Sequence, residues 1–131
     1  MKKNIHMPGK RKQAIARATL REGKGIVTIN GQYLENYSNP LLRLRISEPL
    51  LLAGDSVKDL DIAVSVRGGG VNGQADAVRL AMARALVVQD SKLKKVFDEY
   101  DRLLLVADVR RKEVRKPNDS KARAKRQKSY R

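Results

Sequence analysis

The sequence predicts an α+β domain: a mixed four-stranded sheet with helices packed on one face. Three observations carry that expectation. Strand-like and helix-like segments come in the order strand, strand, short helices, strand, helix, strand. Leu60–Val66 (LDIAVSV) alternates apolar and polar residues, as a half-buried strand does. An alanine-rich stretch follows it with apolar residues at helical spacing. At 131 residues the chain suits one domain with a modest core.

The first strand is read over Lys12–Arg21, with Ile15, Arg17 and Thr19 on one side, although its alanines make helix a competitor. The link Glu22-Gly23-Lys24-Gly25 and the β-branched run Ile26–Ile29 favour a hairpin with a second strand. Asn30-Gly31 closes that strand with a turn. Gln32–Ser38 reads as a short helix or turn, and Asn39-Pro40 opens a helical segment holding Leu41, Leu42, Leu44 and Ile46. That segment is expected to stop at Pro49, with Leu50–Leu52 packing beyond it and Gly54 ending the region. After the 60–66 strand a helix is predicted over about 74–88, burying Val78, Ala81, Met82, Ala85 and Val88. A shorter one spans Ser91 to Tyr100, with Leu93, Val96 and Phe97 spaced to pack, and Leu103–Val109 supplies the last strand. Apolar periodicity ends there. The expected organisation is a body, residues 1–109, and a basic tail, 110–131, extended and disordered until a partner orders it.

Charge says what kind of partner. Residues 1–24 carry eight Lys/Arg against Glu22, and residues 110–131 carry eleven against Glu113 and Asp119. The 85 residues between hold ten Lys/Arg and eleven Asp/Glu, so a nearly neutral body has two basic ends. Such ends fit a polyanion, because each cation set on a phosphate releases condensed counterions. The absence of cysteine excludes disulfides and thiolate zinc sites. No apolar run approaches the 18–20 residues needed to cross a bilayer, and SKARAKRQKSYR lacks the apolar face of a membrane-surface helix. MKKNIHMPGK does not read as a secretory signal. The expected setting is intracellular, with no membrane partner.

Between the 60–66 strand and the long helix lies Arg67-Gly68-Gly69-Gly70-Val71-Asn72-Gly73-Gln74. Literally this satisfies the G-x-G-x-x-G fingerprint, but three adjacent glycines generate that pattern easily. Only one strand–helix–strand unit is present, and no strand ends in an acidic residue about 20 positions on. A P-loop is excluded because Gln74 and Ala75 stand where Lys and Ser/Thr are required. What remains is a backbone able to approach another surface closely, a helix N-terminus with unpaired N–H groups, and the cations Arg67 and Arg79. Those groups suit backbone phosphates of a folded nucleic acid; a tight turn is the competing reading. Asn72 is a candidate helix cap.

Catalysis finds no support. His6 is the single histidine and lies in a basic segment; Asp59, Asp61, Asp98, Glu99 and Asp101 read as solvated or paired with Lys58, Lys94, Lys95 or Arg102. No cofactor and no small-molecule substrate are expected. A DNA-compacting role would need a recognition helix, and the 74–88 helix has too much apolar surface to lie in a groove.

GGGVNGQADAVRLAMARAL resembles the signature of the universal ninth protein of the small ribosomal subunit, in its archaeal and eukaryotic branch. GKRKQAIARATLREGKGIVTINGQ at 9–32 is similar to that family's opening hairpin. LLLVADVRRKEVRKP at 103–117 is similar to its last strand and exit, and the ending QKSYR to its terminus. Residues 120–126 (SKARAKR) depart from the pattern: the glycines and aromatic residue common there are missing, while the charge is kept.

The resemblance implies a ribosomal-protein-five domain-two-like sandwich with a left-handed crossover, where physics alone would favour a right-handed one. It implies a cytoplasmic place in the head of the small subunit, on ribosomal RNA and beside neighbouring head proteins. It assigns rRNA contacts to Lys10, Arg11, Lys12, Arg17, Arg67, Gly68, Gly69, Gly70, Asn72, Gln74, Arg79, Arg110, Arg111, Lys112, Arg115, Lys116, Lys121, Arg123 and Lys125. It assigns contacts with the anticodon stem-loop of the peptidyl-site tRNA to Arg126, Lys128, Tyr130 and Arg131. The reach is sufficient, since residues 117–131 fully extended span about 50 Å.

Overall fold

The computed structural model describes residues 4–37, 39–108 and 110. Its sheet has five strands: β1 (Ile5–Arg11), β2 (Ala14–Glu22), β3 (Val27–Ile29), β4 (Gln32–Tyr33) and β5 (Leu60–Arg67). Three helices accompany it: α1 (Pro40–Ala53), α2 (Val71–Gln89) and α3 (Leu93–Tyr100). The spatial order is β1-β2-β5-β3-β4. Only the β3–β5 pairing is parallel, so the sheet is mixed, as expected, with one strand more than the sequence indicated.

The expected hairpin between 12–21 and 26–29 does not form. β2 pairs instead with β1, through the two-residue turn Lys12-Gln13. The sequence places the N-terminal strand from about residue 9 and does not mark Ile5–Arg11 as a strand of its own, because Pro8 and Gly9 weaken its pattern. β5 inserts between β2 and β3, so the Glu22–Ile26 link must step over a strand. Asp61 of β5 ties that link down: its Oδ1 accepts from the N–H of Lys24 (2.9 Å) and of Ile26 (3.1 Å). These backbone bonds, Ile26 first, hold the Asp61 carboxyl below the usual aspartate range.

Asn30-Gly31 does turn β3 into β4, with both φ angles positive (51° and 82°), the geometry that matches strand twist in a two-residue hairpin. Beyond the end of β3, the Asn30 side chain stands in for further strand. It accepts from Val66 N–H (2.8 Å) and donates to Val66 C=O (3.0 Å).

α1 begins as read, with Asn39 Oδ1 accepting from Leu42 N–H (3.0 Å) and Pro40 in the first turn. It does not stop at Pro49. That ring is buried, and the helix continues through it for one more turn to Ala53, where Gly54 caps it at φ 61°. The expected strand over 103–109 is also absent among its described residues. Asp101 Oδ1 accepts from Leu103 N–H (3.0 Å) and starts a 3-10 turn, Arg102–Leu104. The Leu105 carbonyl is taken by the Arg84 guanidinium (3.1 Å), so a side chain replaces a ladder partner.

α2 lies across β1, β2 and β5, and α1 and α3 pack on α2. Ala14, Ala16, Ala18 and Leu20 of β2 and Ile62, Val64 and Val66 of β5 are buried toward it, while Ile15, Arg17, Ser65 and Arg67 are on the other face. The α2 stripe is buried through Ala85, but Val88, and Val96 of α3, are exposed. Gly9 sets the spacing: a Cβ there would sit 2.3 Å from the Ala77 carbonyl oxygen and 2.7 Å from the Ala81 nitrogen.

Gly9→Ala therefore forces α2 off the sheet and should cost about 2–3 kcal/mol, read as a lower denaturant midpoint at unchanged slope. Asp61 predicts a pH effect. Its folded pKa is depressed, so its contribution is complete above the ordinary aspartate range and is lost as pH falls through the lowered value. Amide exchange at Lys24 and Ile26, corrected for the intrinsic rate, should lose protection over that acidic window in the wild type and be pH-independent there in Asp61→Asn.

Candidate nucleic-acid interface

The glycine loop sits where the end of β5, the tip of the β1–β2 hairpin and the start of α2 meet. Gly68 (φ 82°) and Gly69 (φ 65°) are left-handed. A Cβ on Gly68 would lie 2.6 Å from the Gln13 carbonyl oxygen, and one on Gly69 would lie 3.1 Å from the Ala14 nitrogen. Those two glycines are thus required by conformation and by closeness to the hairpin tip. Gly70 differs: φ is −95° and the space beside it is open.

Gly70, not Asn72, is the N-cap of α2, and no side chain caps the helix. The helix starts three residues earlier than the sequence indicated, which moves Asn72 into its exposed first turn, where it cannot cap. Gln74 holds the loop from inside, its Nε2 donating to the Gly68 carbonyl (3.1 Å). Around this uncapped helix start runs a cleft of about 1000 Å³, lined by Arg11, Lys12, Gln13, Gly69, Gly70, Val71, Asn72, Gly73 and Arg110. Unpaired N–H groups and the positive end of the α2 dipole face it.

The cations divide into two groups. Arg79, one of the expected phosphate ligands, is turned inward: its Nε lies 3.0 Å from Glu48, its Nη2 lies 3.1 Å from Asp101, and its side chain is only 11% exposed. It ties α2 to α1 and to the 3-10 turn, and its guanidinium is spent there. Burial raises the Asp101 pKa, but the Leu103 N–H and Arg79 outweigh it, and the net shift is downward. Arg84 donates to the Pro8 and Leu105 carbonyls (3.1 Å each), and Arg45 pairs with Asp76 (3.2 Å). By contrast, Lys10, Lys12, Arg17 and Arg67 are exposed, and among the described residues none has an ion pair or a side-chain hydrogen bond. Lys12 stands at the hairpin tip with φ 55°.

Arg11 and Arg110 meet at a residue the sequence did not single out. Asp108 lies 3.2 Å from Arg11 Nη1 and 2.6 Å from Arg110 Nη2, with Arg11 also 3.7 Å from Asp76. The Arg110 hydrogen bonds, with a smaller contribution from Arg11, hold the Asp108 carboxyl far below the usual range. No spacing could announce this clip, since 97 positions separate Arg11 from Asp108. Its effect is to hold Arg110 at the mouth of the cleft. Arg111, Lys112, Arg115, Lys116, Lys121, Arg123, Lys125, Arg126, Lys128, Tyr130 and Arg131 lie outside the described residues.

Two of the acidic residues are engaged within the fold: Asp61 in the β2–β3 link and Asp101 on Arg79 and Leu103. No metal-ligating cluster occurs among the described residues. His6 Nδ1 is 2.9 Å from the Thr19 hydroxyl.

Residues 9–131 match the model of the ribosomal protein S9/S16 family. The chain belongs to that family. It is 59% identical over 125 residues to the small ribosomal subunit protein uS9 of Thermoplasma acidophilum, covering 94% of this chain and 97% of that one. It is 50% identical over 131 residues to the uS9 of Methanothrix thermoacetophila, covering 98% and 99%, and 50% over 125 residues to that of Pyrobaculum aerophilum, covering 94% and 88%. Full-length matches of this kind leave little of the chain outside the family's pattern.

The glycine geometry makes the loop testable. Gly69→Val puts a β-branched residue at positive φ against Ala14 and should cost about 2–3 kcal/mol of stability. Gly70→Ala should stay within about 0.5 kcal/mol of the wild type. Thermal melts of the two variants check both.

Proposed function

We propose that this chain is a structural constituent of the small ribosomal subunit in translation, and not an enzyme. Membership of the S9/S16 family supports that role, with ribosomal RNA and ribosomal proteins as its partners. In this reading the body, residues 1–109, docks on small-subunit rRNA in the head through the cleft at the α2 N-terminus. The tail, 110–131, runs along RNA toward the peptidyl site, where Arg126, Lys128, Tyr130 and Arg131 meet the anticodon stem-loop of the tRNA.

One observation carries the body contact. Lys12, left without an intramolecular partner, stands with Arg11 and Arg110 at an uncapped helix start, while Arg79 and Arg84 deeper in the fold are tied to other elements of the body. Phosphates would accept from the backbone N–H groups of the first turn and pair with the flanking side chains. α2 itself is buried along most of its length, so it cannot enter a groove as a recognition helix. The Asp108 clip holds Arg110 beside the same cleft, so in this reading body and tail would follow one RNA surface.

Removing residues 120–131 takes away six Lys/Arg and leaves the core intact. The truncated protein should still sediment with small subunits after a high-salt wash. Its slope of log affinity for small-subunit RNA against log salt should be shallower, by up to about 5 if all six cations sit on phosphates. Retention of tRNA in the peptidyl site should fall as well. An unchanged slope would remove the tail from the RNA interface, and loss of sedimentation by the full-length chain would overturn the ribosomal reading.

A further inference from the structure

The helical layer carries an apolar surface that packs on nothing within the body. On α1, Leu41, Leu44, Glu48 and Leu51 fall at i, i+3, i+7 and i+10, one stripe turned away from buried Leu42, Ile46 and Pro49. Its leucines are 78%, 62% and 75% exposed. Val96 and Tyr100, one turn apart on α3, and Leu103 just beyond it are exposed as well. We propose that this surface docks another protein of the small subunit, through a segment that sets a Lys or Arg among apolar side chains. The proposal rests on the ribosomal reading and gives its protein contacts a place.

Arg79 brings the two apolar groups together. Its Nη2 binds both Glu48 of α1 and Asp101, which follows Tyr100. The two carboxylates therefore stand side by side. Leu44 and Leu51 lie one turn to either side of Glu48, while Tyr100 and Leu103 flank Asp101. Two carboxylates share one guanidinium, so the middle of the patch keeps a negative charge. Asp101 spends Oδ1 on the Leu103 N–H. Glu48 bonds through Oε2 alone; its Oε1 has no partner among the described residues, and the side chain is 32% exposed.

That charge pattern favours protein over RNA. A polyanion needs free cations, and those of α1 are engaged: Arg43 donates to the Glu35 carbonyl and Arg45 pairs with Asp76. Lys94 and Lys95 lie with Asp98 and Glu99 along another side of α3, and Arg102 stands at the rim beside Asp101. An apolar centre with charge kept to the edge is how protein interfaces are built, and arginine is enriched in them. Contiguous apolar patches are also uncommon on proteins that act alone. A wholly apolar partner would bury Glu48 with Oε1 unsatisfied, so the partner must bring a donor, and the local charge calls for a cation.

The chain has no cysteine, so single cysteines can carry a benzophenone photoprobe. Full-length Leu44→Cys and Leu51→Cys on the patch, and Asn72→Cys in the cleft, are labelled and reconstituted into small subunits. Expected from 44 or 51 is a crosslink to an apolar segment of another small-subunit protein, with a Lys or Arg beside the crosslinked residue in the peptide found by mass spectrometry. Crosslinks from both positions only to RNA, to a second copy of this chain, to a segment without such a cation, or to nothing overturn the proposal. Crosslinks from 72 to RNA in the same particles leave the cleft reading standing, whereas failure of the wild-type chain to enter small subunits overturns both. The double variant Leu44→Gln/Leu51→Gln should melt like the wild type and keep its salt slope on naked small-subunit RNA. In competition with the wild type it should enter subunits about tenfold less well, because two leucines lose their burial. Equal incorporation, or a shallower slope on naked RNA, would overturn the proposal.

Discussion

α2 lies so close on β1 at Gly9 that no side chain fits between them there. Gly9, Ala16 and Ala18 on the strands meet an α2 surface rich in alanine, including Ala77 and Ala81. This close approach fixes the height of α2 over the sheet and so the place of its first turn, beside the Lys12-Gln13 tip. The glycine loop that joins β5 to α2 then has no freedom left: Gly68 and Gly69 must bend in the left-handed region and lie against Gln13 and Ala14. A wider seam of valines or leucines would lift the helix and open the loop. Small residues at the core thus decide the shape of the surface.

The same packing sorts the basic residues. A chain with 29 Lys/Arg would fold poorly if its cations repelled one another inside the body. Arg79, Arg84 and Arg11 are each matched to carboxylates or carbonyls that join elements far apart in sequence. They act as cross-links between α1, α2, β1 and the exit segment. The cations that remain lie at one end and one face of the sheet, where a polyanion could meet them together. The charges that build the body and those offered outside it are different residues.

Sequence patterns made the central elements legible. The period-2 alternation of β5, the helical stripe of α2 and the Asn30-Gly31 turn are local signals; the strand and the turn stand where they were read, and the stripe is buried through Ala85 in a helix that begins three residues earlier. The pairing of β2 was not legible, because its true partners are set by a glycine that must fit under a helix 70 residues away and by β5 inserting from a distance of 40. Leu103–Val106 shows the ambiguity of short apolar runs, which serve a turn under Arg84 as readily as a strand. At the site, the glycines and Arg67 were readable as a group. That Arg79 faces inward and that Asp108 gathers Arg11 and Arg110 follow only from the fold, since charge type does not reveal which carboxylate a guanidinium will find.

Asn30 bears on how such a protein survives before its partner is present. β3 is only three residues long, and past its end the Val66 N–H and C=O would form an open stretch of sheet edge. The Asn30 amide occupies both groups in the manner of a peptide unit. An unpaired edge is a template for another chain's strand, and a freshly made basic protein awaiting assembly spends time at risk of such pairing. One side chain, bent back by a left-handed turn, closes that stretch of edge within the chain itself, so the turn that made the hairpin also removes one template for a foreign strand.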